Sequence, residues 1–272
     1  MGLEGKVAIV TGGGSGLGRA SATALAAEGA SVVVADVDDD GGAATVDGIA
    51  GAGGSATFLH TDVSDAAACE ALVSAALDRH GALHVLHANA GVALPFADGF
   101  TPMVDPAVWD KVISINLSGV FYCAHFAIPA IAKSGGGSII NTASSMATVP
   151  LGGLDAYAAS KGAVAMLTRS MSPNCGALGI RVNAICPGYV DTPMNAAILD
   201  SPELTASFEK GHATGWQTPE EIADLVVFLA SEASRSLTGA VLTCDRGWTA
   251  FKQPEMLRDF QVGLARGLLD QG

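Results

Sequence analysis

Charge is scarce in this chain, and positive charge scarcest. Only 15% of the 272 residues are Asp, Glu, Lys or Arg, with 14 basic against 27 acidic side chains and a formal net charge of -13. A sequence pI near 4.6 leaves no basic face for a phosphate backbone, so nucleic acid is not an expected partner. The same balance disfavours an anionic membrane surface. Cysteine is sparse too. Cys69, Cys123, Cys175, Cys186 and Cys244 are odd in number, widely spaced and without a C-x-x-C pair. That pattern argues against a disulfide framework or a thiolate zinc site, and for buried thiols in a reducing, cytoplasmic setting. No stretch approaches the roughly 20 apolar residues of a spanning helix. Met1 to Lys6 is polar and short, unlike a targeting segment, and Lys6 stands where a myristoylation motif wants Ser or Thr. The 34 glycines have no three-residue period, there is no solenoid-length repeat, and no linker divides the chain.

What is present is apolar. Hydrophobic residues make up 49% of the chain, which excludes intrinsic disorder. Short apolar runs alternate with longer Ala-rich segments of helical period. The runs are Val7–Val10, Ser31–Ala35, Ala56–Leu59, Leu83–Ala88, Ser138–Asn141, Ile180–Ile185 and Ala240–Thr243. Several lack polar alternation, as strands buried on both faces do. Helical stretches are expected near Gly16–Glu28, Ala66–His80, Pro106–Ala132, Tyr157–Ala177 and Pro219–Ala230. The alternation predicts an α/β fold: a single Rossmann-type doubly wound domain over residues 1–250, with a parallel sheet of about seven strands flanked by helices. Gly188 to Thr218 is long and weakly periodic, which suggests a lid or substrate-binding loop. The tail, residues 251–272, spaces Met256, Phe260, Leu264 and Leu268 four apart, one stripe of a short helix. It is expected to pack on the body or a neighbouring subunit, or else to help close the substrate cleft.

Strand Val7–Val10 runs into a glycine-rich turn from Thr11 to Gly18 and then into a helical pattern. A strand that turns into a helix offers free N–H groups and the positive end of the helix dipole, where a dinucleotide pyrophosphate binds. The register is Gly12-x-x-x-Gly16-x-Gly18 rather than G-x-G-x-x-G. Asp36 ends the second strand, twenty positions after Gly16. A carboxylate there accepts from the ribose hydroxyls of NAD and repels the 2′-phosphate of NADP. Asp38, Asp39 and Asp40 add negative charge, and the neutral Ser15 and Val37 leave no nearby base to read that phosphate.

Tyr157 and Lys161 are four apart at the start of a helical segment and so share a face. At about 5 Å and an effective dielectric near 20, an ammonium attracts a phenolate by roughly 3 kcal/mol, or about two pK units. A tyrosine so lowered can serve as a general acid/base near neutral pH. Ser144 follows the strand Ser138–Asn141, at the sheet edge where doubly wound folds bind ligands.

With these residues the chain resembles the short-chain dehydrogenase/reductase family over essentially residues 5 to 248. The family's T-G-x-x-x-G-x-G loop matches Thr11 to Gly18, which puts Gly12, Ser15, Gly16, Leu17 and Gly18 against the cofactor. Its adenine-contacting D-V pair matches Asp62-Val63, and its N-N-A-G matches Ala88-Asn89-Ala90-Gly91, with the first Asn replaced by Ala. Asn89, Ala90 and Gly91 then stand near the nicotinamide ribose. Its P-G motif matches Pro187-Gly188, followed by Val190 and by Thr192 at the carboxamide. The resemblance implies that Tyr157 exchanges a proton with the substrate oxygen, that Ser144 hydrogen-bonds that oxygen, and that Lys161 lowers the tyrosine and holds the ribose. Asn116 would keep a water in a proton relay. Ser144 fits the serine better than Ser145, being thirteen residues before the tyrosine. The implied activity is NAD-dependent interconversion of a secondary alcohol and a ketone, and the implied assembly is a homotetramer or, failing that, a dimer. Pro173 departs from the family's unbroken helical run and is expected to kink or shorten the helix.

Other readings carry less support. His80, His84 and His87 have metal-like spacing, but a helix end and a strand fall across them, so no metal is expected. A non-catalytic dinucleotide sensor would be expected to lack the Ser/Tyr/Lys set. A sugar-nucleotide epimerase usually carries a longer carboxyl-terminal domain than this chain has room for. The loop around Met194, Ala196, Ala197, Ile198, Leu199 and Phe208 points to an apolar or mixed small-molecule alcohol or ketone, with Lys210 and His212 as its only basic side chains.

Overall fold

The computed structural model describes residues 2–251 of the chain. The tail stripe from Met256 to Leu268 lies outside the described residues.

Seven strands form one parallel sheet: β1 Val7–Thr11, β2 Ser31–Asp36, β3 Ser55–His60, β4 Val85–Ala88, β5 Gly137–Thr142, β6 Ile180–Pro187 and β7 Val241–Cys244. Their order is β3-β2-β1-β4-β5-β6-β7, so the chain reverses direction across the sheet between β1 and β4. The helices of the first half are α1 Gly16–Ala27, α2 Asp39–Gly51, α3 Ala66–His80, α4 Pro106–Ile113 and α5 Gly119–Lys133. Those of the second are α6 Asp155–Gly176, α7 Ala196–Leu199, α8 Pro202–Gly211 and α9 Pro219–Ala230.

The strands alternate their apolar side chains between two cores. Ile9, Val33 and Leu86 point to one side, against Leu72 of α3, Ile131 of α5 and Val164 of α6. Ala8, Val10, Val32 and Val34 point to the other, against Leu25 of α1, Ile49 of α2 and Val226 of α9. Covering both faces explains why these strands read as continuous apolar runs.

Five expectations need correction. Residues 39–51 form a helix that the sequence reading omitted. Gly41, Gly42, Gly48 and Gly51 make it a poor helix former by propensity. It forms because the Asp38 side chain caps it, accepting from the Gly41 N–H at 3.1 Å, and Asp39 and Asp40 face its positive end. Gly42 is required by packing, since a Cβ there would lie 2.1 Å from the Phe58 ring.

The stretch expected as one helix, 106–132, is two helices joined by a π turn at Ser114–Ser118. From 106 to 133 it is also long and apolar enough to cross a membrane by length and composition, with a mean hydropathy of 1.4 over an 18-residue stretch. The expectation that no such stretch exists therefore fails. Its apolar face is accounted for within the fold, where Cys123, Ala124, Ala127 and Ile131 are buried in the core with α3 and the sheet.

Helix α6 continues through Pro173 to Gly176 instead of ending there. The missing proline N–H would have met the Arg169 carbonyl, and the Ser172 hydroxyl donates to that carbonyl instead, at 2.9 Å. Finally, the segment after β6 is not an unstructured loop, because it contains α7 and α8.

Candidate active site

A cavity of about 630 Å³ opens along the carboxyl ends of the central strands, over the β1/β4 reversal. Ligands bind doubly wound sheets at that switch point.

Its β1 side is the glycine turn. Gly12 has φ +64° and Gly16 has φ +47°, conformations that a side chain disfavours. A Cβ on Gly12 would sit 2.9 Å from the Ala90 backbone, and one on Gly16 would be 3.3 Å from the Thr192 side chain across the cavity. Ser15 starts α1 in an extended conformation and makes no side-chain cap bond, and no acid occupies the first turn. The helix therefore presents open donors and an uncompensated positive end to the cavity, as an anionic diphosphate requires. Gly18 sits behind the turn rather than on the cavity, where a Cβ would lie 1.9 Å from the Gly12 carbonyl oxygen. Its role is close packing of helix on strand.

Asp36 lines the cavity at the end of β2. One oxygen accepts from the Gly14 N–H at 2.8 Å and the other from the Asp38 N–H at 3.0 Å. The expectation of no nearby base needs correcting here. Arg19 reaches this turn, with its guanidinium bonded to the Gly14 carbonyl and, at 3.0 Å, to the Thr45 hydroxyl. It is held against the loop and does not line the cavity. Asp62 and Val63 line the same end, and Asp62 is steadied by the Ser64 hydroxyl at 2.7 Å. Asn89 ties β4 to the glycine turn, donating from Nδ2 to the Thr11 carbonyl at 3.0 Å. Ala88, where the family has Asn, is buried in the core. Pro187, Gly188, Val190 and Thr192 line the far wall.

The Ser/Tyr/Lys set meets at the middle of the cavity. Ser144 follows β5 and lines the cavity with Tyr157, its hydroxyl accepting from the Met146 N–H at 3.1 Å. Lys161 donates from Nζ to the Thr142 carbonyl at 2.8 Å and lies 5.7 Å from the centroid of the Tyr157 ring. Ser145 is also buried on the cavity, but its neighbour Ser144 is the one that acts on the phenol's protonation.

The electrostatics differ from the Coulomb expectation. Burial pushes the Tyr157 phenol above its usual range, and the Ser144 hydroxyl opposes this only in part. Burial likewise pushes the Lys161 ammonium down to about 8. The cation lies over the ring and is itself weakened by desolvation, so Lys161 alone does not lower Tyr157.

Asn116 lies in the π turn, a feature that often marks functional positions. Its Oδ1 accepts from the Val92 N–H at 2.8 Å, and its Nδ2 donates to the Val92 carbonyl at 2.9 Å and to the Ser160 hydroxyl at 3.1 Å. The amide thus pins the chain after β4. It stands beside Lys161: a Cβ on Gly91 would be 3.3 Å from both the Asn116 Oδ1 and the Lys161 Nζ.

Asp98 was not anticipated. Its buried carboxylate accepts from the Ala156 N–H at 3.1 Å and the Tyr157 N–H at 2.9 Å. It is a cap for α6 supplied from a distant loop, on the residue that carries the phenol. Leu154, the local N-cap, provides no side-chain bond. No sequence spacing could reveal a cap 58 residues away from the first N–H it bonds. Of the three spaced histidines, two have partners within the fold: the His84 Nδ1 accepts from the Val7 N–H at 3.0 Å, and the His87 Nε2 meets the Thr142 hydroxyl at 3.0 Å.

Residues 12–249 match the protein family described as enoyl-(acyl carrier protein) reductase. The chain is 40% identical over 248 residues to cis-4-hydroxycyclohexanecarboxylate dehydrogenase of Sinomonas cyclohexanicum, covering 90% of this chain and 97% of that protein. The chain belongs to the short-chain dehydrogenase/reductase family. It is 35% identical over 246 residues to cyclohexanol dehydrogenase of an Acinetobacter strain, covering 90% of this chain and 95% of the relative. The crystal structure of a short-chain dehydrogenase/reductase from Mycobacterium marinum superposes with a TM-score of 0.86 at 31% identity, covering 92% of this chain and 98% of that one. As a member, the chain is an oxidoreductase of a family that uses a nicotinamide dinucleotide.

Proposed function

We propose that this enzyme interconverts a small-molecule secondary alcohol and its ketone, with NAD preferred over NADP. The observation that carries the reading is the convergence of Ser144, Tyr157 and Lys161 on one cavity, with the Lys161 ammonium 5.7 Å from the centroid of the Tyr157 ring. Two hydroxyls there can hold one substrate oxygen, and Tyr157 can exchange its proton with it. The dinucleotide, when bound, supplies hydride acceptance and donation at its nicotinamide. The open end of α1 and the glycine turn suit its diphosphate, while Asp36, Asp62 and Val63 suit its adenosine. Asp36 favours the free ribose hydroxyls of NAD. Lys161, between the Thr142 carbonyl and Gly91, is placed to steady a ribose hydroxyl, and Asn116 to fix the backbone next to it. The relatives named for alicyclic alcohols support a ring alcohol as the substrate, as does an apolar wall that includes Met194, Ala197, Ile198 and Phe208.

Because burial keeps Tyr157 protonated, ketone reduction has its acid ready at neutral pH, and alcohol oxidation should rise on the alkaline side. The test is nicotinamide absorbance with a panel of secondary alcohols and each dinucleotide. Tyr157→Phe should retain dinucleotide affinity and lose at least about a hundredfold in turnover. Near-normal turnover in that variant would overturn the mechanism.

We also propose a homotetramer, with a dimer as the simpler form, in a reducing, cytoplasmic setting. Trp109, Phe121 and Met166 on α4, α5 and α6 are 42%, 48% and 60% exposed, apolar area suited to a second copy.

A further inference from the structure

The substrate half of the cavity carries no side-chain charge of its own. Among the described residues, the charged groups on the cavity are Asp36, Asp62 and Lys161. The two carboxylates lie at the adenosine end, and the lysine is bonded to Thr142. A carboxylate on the substrate would give up its water here and meet no free cation among the described residues.

One polar atom in this half has no partner. Tyr189 follows the Pro187-Gly188 pair, is 6% exposed and lines the cavity. Its ring is fixed on the protein side by Phe208 at 4.5 Å, Trp248 at 5.0 Å, His212 at 5.9 Å and Trp216 at 6.0 Å between centroids. Gly211 is needed for this cluster, since a Cβ there would lie 1.9 Å from the Trp248 ring. Among the described residues, the Tyr189 hydroxyl is the buried, unpartnered side-chain polar atom that belongs to the cavity wall. Buried hydroxyls are ordinarily satisfied, so an orphan beside a binding cavity points to a ligand group. Tyr189 lines the same cavity as Tyr157 and Ser144. Burial holds the Tyr189 phenol well above its ordinary range, so it stays an uncharged donor at any working pH.

We infer that Tyr189 is a specificity-determining residue whose hydroxyl receives a second, uncharged oxygen of the substrate, so that the preferred substrates are neutral alcohols bearing another hydroxyl or carbonyl. This rests on the alcohol-oxidising reading above. A single neutral donor satisfies a hydroxyl or ketone oxygen but leaves a desolvated carboxylate under-bonded. A substrate with no second oxygen leaves the phenol unpaired, and sites built to bond a substrate polar group discriminate strongly against analogues that lack it.

The experiment is steady-state oxidation by the full chain at saturating NAD. The probes are cyclohexanol, the three regioisomeric cyclohexanediols and 4-hydroxycyclohexanecarboxylate. The best diol should exceed cyclohexanol in kcat/KM by at least about tenfold, with the carboxylate below both. Tyr189→Phe keeps the ring contacts and should collapse the diol-to-cyclohexanol ratio towards one, and unfolding midpoints of the two proteins check that the cluster is intact. A ratio that Tyr189→Phe leaves unchanged overturns the inference, as does a carboxylate used as well as the best diol. Either result leaves the alcohol-oxidising reading standing. Absence of nicotinamide reduction with every probe and with acyclic secondary alcohols overturns both.

Discussion

Lys161 allows a quantitative test of how this site is held together. It is buried, its Nζ bonds only a neutral carbonyl among the described residues, and burial pushes its pKa from 10.5 to about 8. The unfolded chain therefore keeps the proton up to about pH 10.5, while the folded chain releases it near 8. Below pH 8 both states are charged and the fold carries the full desolvation cost, about 3 kcal/mol for a shift of this size. Between the two values the unfolded state binds more protons, so this group's contribution to stability rises with pH. From pH 7.5 to 9.5 the gain amounts to about 2 kcal/mol. Other groups titrate in the same range, so the quantity to measure is a difference. Urea unfolding of dinucleotide-free wild type and Lys161→Met at both pH values isolates it. Methionine fills similar volume without a charge, and it should be the more favoured at pH 7.5. The stability gap should move by about 2 kcal/mol towards wild type at pH 9.5. A gap that stays constant within about 0.5 kcal/mol would show that Lys161 titrates at its ordinary value, and the argument from burial would fall.

Three further outcomes are expected. Asp36→Ala should lower the NAD-to-NADP ratio of kcat/KM by at least about tenfold, by removing the charge proposed to repel a 2′-phosphate, and an unchanged ratio would contradict that role. Asp98→Ala removes the acceptor for the Ala156 and Tyr157 N–H groups and should cost about 1–2 kcal/mol in urea unfolding together with a fall in kcat. Asp98→Asn, which keeps one acceptor, should recover part of both, and equal damage from the two variants would argue against a capping role. Light scattering at working concentration should give a mass of about four times 27.2 kDa, or twice that value for the dimer, and a monomer would refute the assembly.

The architecture was legible because its signals are local or periodic. Strands buried on both faces read as apolar runs, and α3 and α9 fall at Ala66–His80 and Pro219–Ala230 as their spacing predicts. Each is bounded by a side chain that bonds its own first turn, Asp65 in one and Thr218 in the other. What failed to show depended on contacts from elsewhere. Helix α2 looks too glycine-rich until the Phe58 ring is placed against Gly42. The π turn at Asn116 leaves no trace in the apolar period, yet it carries the amide that bonds Val92 from both sides. Pro173 looked like a break because the compensating Ser172 hydroxyl cannot be foreseen from propensity.

The site divides along the same line. Residue type and spacing were enough to bring Ser144, Tyr157 and Lys161 together and to set Asp36 opposite the glycine turn. They were not enough for the balance of charge. Spacing supplies the Coulomb attraction between an ammonium and a phenolate, and taken alone it lowers the tyrosine. Burial acts on each group separately and favours the neutral form of both, so it raises the phenol and lowers the amine. At Tyr157 the opposing contribution comes from the Ser144 hydroxyl rather than from Lys161, whose cation sits over the ring, and desolvation is the larger. Desolvation depends on how many neighbours the fold packs around an atom, which no sequence window contains. The same term explains why Asp98 and Tyr189 had to be found in three dimensions. One becomes a cap, and the other an unpaired donor, only when distant loops close over them.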